Sequence, residues 1–123
     1  MMYLTDRKRA RGHGSAHQGT EHHWNMTLSS AALLILIPLF VFTFGFALGL
    51  PYEEARAYYA RPVPATIAAM TILVSMIHFR GGFQTLIEDY TGGDTRKLVI
   101  MGGVIVSYGL AALALVSIAR IAL

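Results

Sequence analysis

Three long stretches of this chain carry no formal charge, and they dictate what it can fold into. One runs from Thr27 to Tyr52, one from Pro62 to Phe79 with its apolar pattern continuing to Ile87, and one from Leu98 to Ala119. A helix needs about 20 apolar residues to cross the hydrocarbon of a bilayer. Inside lipid only a helix or a closed barrel satisfies its own backbone. The expectation is an all-α membrane protein with three transmembrane helices, at about 28–50, 63–87 and 98–120. Composition agrees. Of 123 residues, 54% are hydrophobic and 14% charged, against about 25% charged in a soluble domain. A soluble globule this small has too little interior to hide that much apolar surface.

The domain expectation is a cytoplasmic N-terminal segment, 1–27, followed by a three-helix membrane domain, 28–123. Residues Pro51 to Arg61 form the first linker and Glu88 to Lys97 the second, with a turn at Gly92 and Gly93. Pro38 falls inside the first span, where membrane helices tolerate it. The polar lead before the first span is long and the span exceeds a signal peptide's apolar core, so a retained helix is expected rather than a cleaved leader. The Asn25-Met26-Thr27 triplet matches a glycosylation acceptor by pattern only, beside the bilayer on the side expected to be cytoplasmic.

Basic residues set the orientation. Arg7, Lys8, Arg9, Arg11, Arg96 and Lys97 fall on one side of a three-span chain, and Arg56, Arg61 and Arg120 on the other. Positive charge stays inside, which places the N-terminus in the cytoplasm and the C-terminus in the periplasm. The net charge of +3 thus reads as topology, with lipid rather than nucleic acid as the partner. There are no cysteines, which excludes disulfides and thiolate metal sites within the chain.

One histidine, His78, lies inside a span. An imidazole in lipid is costly unless it has a partner, so it is a functional candidate. Thr71, Val74, Ser75, Gly81, Gly82 and Thr85 share its helix face. A face this compact leaves room for the edge of a flat group such as haem; equally, small residues serve close helix packing. Six-coordinate haem needs a second axial ligand. His13, His17, His22 and His23 all precede the first span, so that ligand would have to come from a partner chain. The adjacent pair His22 and His23 diverges on a helix and makes a poor metal site. Arg80 can snorkel, pair with a carboxylate on another helix, or meet a haem propionate or a quinone oxygen. Asp89 and Tyr90 close the second span, where a carboxylate beside a phenol can orient and protonate a quinone oxygen; an ordinary polar helix end with an interfacial tyrosine is the plainer reading. Gly45 with Gly49, and Ser107 with Ala111, are spaced for tight helix contacts within the chain or with a partner.

The segment HFRGGFQTLIEDY, His78 to Tyr90, resembles the second span of the hydrophobic membrane anchor (D) subunit of succinate dehydrogenase, in which a histidine precedes an Asp-Tyr pair by this interval. GHGSAHQGTEHHW, ahead of the first span, is similar to alphaproteobacterial members. The resemblance implies half of a heterodimeric haem-binding helix bundle in a bacterial inner membrane. His78 would be an axial ligand of haem b shared with a second haem-ligating anchor (the C subunit). Tyr90 would bind ubiquinone, and Asp89 would support that site. A flavoprotein and an iron–sulfur subunit would carry out succinate oxidation, leaving this chain non-catalytic. Many members carry an arginine three residues after the tryptophan; here that position is Thr27, and Arg80, His22, His23 or a partner residue is left to take its role. The alternatives are the anchor of a fumarate reductase, another membrane b-type cytochrome, or a cofactor-free scaffold or transporter subunit.

Overall fold

The computed structural model describes residues 5–11 and 19–123, and among these every regular element is helical. The order is α1 (Asp6–Arg11), α2 (Gly19–Ala47), α3 (Tyr52–Tyr59), α4 (Pro62–Tyr90) and α5 (Gly93–Ala122). Expected features at His13 and His17 lie outside the described residues.

Helices α2, α4 and α5 are each long and apolar enough to span a membrane, with mean hydropathies of 2.3, 1.6 and 2.3. The all-helical, three-span architecture is therefore as expected, while the ends of the helices differ. At about 1.5 Å per residue, helices this long exceed the roughly 30 Å hydrocarbon core. They continue into polar sequence: α2 starts at Gly19, α4 runs on through Asp89 to Tyr90, and α5 starts at Gly93. The second linker shrinks to Thr91 and Gly92, and Gly93 follows with a φ of 61°, a left-handed value that suits glycine. The first linker contains a helix of its own, α3, whose Glu53 and Glu54 lie in its first turn, where carboxylates favour the helix dipole. On α3 the Tyr59 hydroxyl is buried without a hydrogen-bond partner among the described residues. Burial foremost, and then Tyr58, raise its pKa above the ordinary tyrosine value.

Helix α4 sits in the middle: α2 and α5 both pack along it, and no comparable contact joins α2 to α5 among the described residues. The buried side chains are small. Ala65, Ala68 and Thr71 on α4, Ser107 and Ala111 on α5, and Ser29 on α2 are all buried. Small residues let backbones approach, which is how helices associate where lipid removes the hydrophobic drive. Ser107 and Ala111 thus form a tight seam, and the Phe83 ring lies directly against Gly103. Gly45 and Gly49 make no such seam among the described residues. A side chain's first carbon at either would meet nothing within 4 Å, and Gly49, with a φ of 85°, stands just beyond the end of α2.

Candidate functional site: the seam between α2 and α4

The side chain of His78 reaches from α4 to α2. Its Nδ1 lies 2.9 Å from the Ser29 hydroxyl oxygen. That hydroxyl is also 2.8 Å from the Asn25 carbonyl and 3.0 Å from the Met26 carbonyl, one turn back on its own helix. The bond ties together two spans 49 residues apart in sequence.

The compact face around His78 is largely filled by α2. Thr71 donates to the Ile67 carbonyl at 2.7 Å and stands 3.4 Å from the Leu36 carbonyl of α2. A side chain at Gly81 would run into the Met26 sulfur. Nearer the polar end, Thr85 donates to the Gly81 carbonyl at 3.2 Å and meets His22 Nε2 at 3.1 Å. The face is therefore mainly a packing face, and the open space lies to one side of it. There the His78 ring borders a groove of about 510 Å³ lined by Ser30, Leu33, Leu34, Ile37 and Pro38 of α2. With Nδ1 engaged, Nε2 has no partner among the described residues. An apolar groove beside one free imidazole nitrogen fits the edge of a porphyrin and one axial bond, and His78 is the residue that would make it. No cluster of three or more His, Cys, Asp or Glu is assembled among the described residues; a porphyrin iron requires none, since the macrocycle supplies the other donors.

Arg80 points elsewhere. Its guanidinium lies over the Tyr108 ring of α5, 5.8 Å from the centroid, a cation–π contact. It also lines a second groove of about 460 Å³ between α2 and α4, together with His22, Asn25, Gln84 and, deeper, Leu28 and Ile77. It makes no ion pair among the described residues. Thr27 donates to the His23 carbonyl at 2.9 Å on its own helix, is exposed, and makes no hydrogen bond to α4 among the described residues. His22 is the α2 histidine brought to α4.

Asp89 and Tyr90 stand at the last turn of α4, both exposed, and Tyr90 is 82% accessible. They lie roughly 18 Å along the helix from His78, so the imidazole and the phenol cannot serve one small pocket. One turn earlier, Gln84 donates to Glu88 at 2.8 Å. The contacts of Ser29, His22 and Thr85 are absent from the sequence reading. The sequence sign of them is a matched spacing: His22 and Ser29 stand two turns apart on α2, as do His78 and Thr85 on α4.

The family described as succinate dehydrogenase/fumarate reductase transmembrane subunit matches residues 1–117. The succinate dehydrogenase hydrophobic membrane anchor subunit of Paracoccus denitrificans is 46% identical over 123 residues, covering all of this chain and 95% of that protein. No solved structure matches. Three spans, an imidazole held between two of them and a match along almost the whole length agree: the chain belongs to the succinate dehydrogenase/fumarate reductase transmembrane subunit family.

Proposed function

We propose that this chain is the hydrophobic membrane anchor of a succinate dehydrogenase. In this reading it supplies His78 as one axial ligand of a haem b shared with a second anchor subunit, and Tyr90 and Asp89 to a ubiquinone site. The observation that carries the proposal is the posture of His78: Nδ1 held by Ser29, and the ring against an apolar groove on the outer side of the seam. The family membership supports the same reading, and the name of the Paracoccus relative favours succinate oxidation over fumarate reduction.

The haem, when bound, accepts and returns single electrons. The chain's own residues hold it, exclude water from it and position the quinone. Leu33, Leu34, Ile37 and Pro38 give the imidazole a dry wall, and low polarity around an axial ligand is one of the protein's controls over potential. Arg80, whose side chain lines the neighbouring groove and whose guanidinium rests on the Tyr108 ring, would be the cation to meet a propionate or a quinone oxygen. Tyr90 donates to one quinone oxygen as charge builds there, with Asp89 beside it. The flavoprotein and iron–sulfur partners supply the electrons, and the chain sits in a bacterial inner membrane with its N-terminus in the cytoplasm.

His78→Ala tests this in the complex purified through a tag on this chain. The expected result is loss of the b-type signal in a reduced-minus-oxidised spectrum while the flavin-bearing partner still co-purifies. An unchanged spectrum and haem content would remove the ligand assignment.

A further inference from the structure

We propose that Ser29 is the positioning residue for His78, with its hydroxyl oxygen accepting the Nδ1 proton so that Nε2 is left as a bare lone pair for iron. The proposal rests on the reading of His78 as a haem ligand and adds to it the residue that selects the ring's tautomer and sets its angle.

A serine hydroxyl has one proton and two lone pairs. In Ser29 the proton has two acceptors on its own helix, the Asn25 and Met26 carbonyls at 2.8 and 3.0 Å, the usual posture of a serine inside a membrane helix. With the proton committed there, Ser29 meets Nδ1 at 2.9 Å as an acceptor. A neutral imidazole carries one ring proton, and a partner at one nitrogen decides which nitrogen holds it. Nδ1 therefore carries the proton, and Nε2 is the unprotonated atom.

The opposite tautomer fits badly. Ser29 would have to turn its proton away from both carbonyls to donate to Nδ1. The Nε2–H would then need an acceptor in a groove walled by Leu33, Leu34, Ile37 and Pro38. The hydroxyl bordering that groove, Ser30, makes no hydrogen bond to His78 among the described residues; its one bond runs to the Met26 carbonyl of its own helix. An unpaired donor in an apolar place is costly. Ser29 is also only 7% exposed, so water does not readily replace it. Because Ser29 is on α2 and His78 on α4, the bond fixes ring rotation relative to both helices at once.

An acceptor behind a metal-bound imidazole makes the ring a stronger electron donor, which favours ferric over ferrous iron. Ser29→Ala should therefore raise the haem midpoint potential, shift the g values of the ferric low-spin signal, and weaken haem retention by roughly ten- to a hundred-fold, the usual range for losing such a partner. Ser29→Thr keeps the hydroxyl and should restore all three. The test is a redox titration and electron paramagnetic resonance on the complex purified with its partners. Should the alanine variant fail to assemble, Ser29→Cys carries the same test, since a thiol is a weak acceptor and should raise the potential as well. An alanine or cysteine variant with wild-type potential and g values overturns the proposal, as does a threonine variant that behaves like alanine. A wild-type complex with no haem would instead overturn the reading of His78, so the two failures are distinct.

Discussion

Tyr90 shows how one side chain limits its own chemistry. It is 82% exposed at the last residue of α4, so among the described residues nothing dries the space around its hydroxyl. A phenol in water gains little from donating to a quinone, because solvent offers the same bond. Its usefulness depends on partner subunits covering it, and its loss should then register in only one half-reaction. Tyr90→Phe is expected to slow quinone reduction by about ten- to a hundred-fold, the worth of one hydrogen bond to a charge-bearing oxygen, about 1.5–3 kcal/mol. Succinate oxidation with a soluble acceptor should stay at the wild-type rate. Steady-state assays with each acceptor check this, and a parallel fall in both rates would mean that the variant damages assembly and that Tyr90 has no role at the quinone.

At the scale of the helix, the spans were legible because charge avoidance in lipid is a property of the residues themselves. The helix ends were not, because α2 and α4 continue as helices into polar sequence where only contacts such as His22 with Thr85 mark their extent. His78 could be found as the one histidine inside a span. Ser29 could not, since a serine in a membrane helix satisfies itself on its own backbone, and its second bond depends on how α2 is rotated against α4. The two small-residue pairs show the same limit. Ser107 and Ala111 are buried in the α4–α5 packing, whereas Gly45 has open space and Gly49 ends its helix, although both pairs have the same spacing. Ser107 is 1% exposed and donates to the Gly103 carbonyl at 2.7 Å, so the seam has no room for a larger side chain there. Ser107→Leu should destabilise the anchor by about 1–3 kcal/mol, the usual cost of overpacking. That would appear as a lower melting temperature of the detergent-solubilised complex. Ser107→Ala, which removes volume and the hydroxyl together, should cost less than Ser107→Leu.

Across the whole molecule, the described residues form one layer of three helices with α4 in the middle and no second wall opposite His78. The groove beside the ring is lined by α2 and the imidazole itself and is open on its other side. Among the described residues the other imidazoles are His22 and His23, both near the start of α2. His22 is already bonded to Thr85 and lies about 10 Å up the helix axis from Ser29, the residue level with His78. Neither can reach across a porphyrin to complete the coordination. A haem gripped on one face only would leave its other face to solvent or lipid and lose the low-spin character that two imidazoles impose. In the proposed arrangement the second ligand and the second wall would arrive together, on another chain. Produced by itself in membranes, this chain should yield no bis-histidine low-spin spectrum, and the signal should appear when the second anchor is co-expressed. Absorption and electron paramagnetic resonance spectra of the two preparations decide the matter: a low-spin b-type spectrum from the lone chain would show that it closes the site by itself, and the shared-ligand arrangement would be wrong.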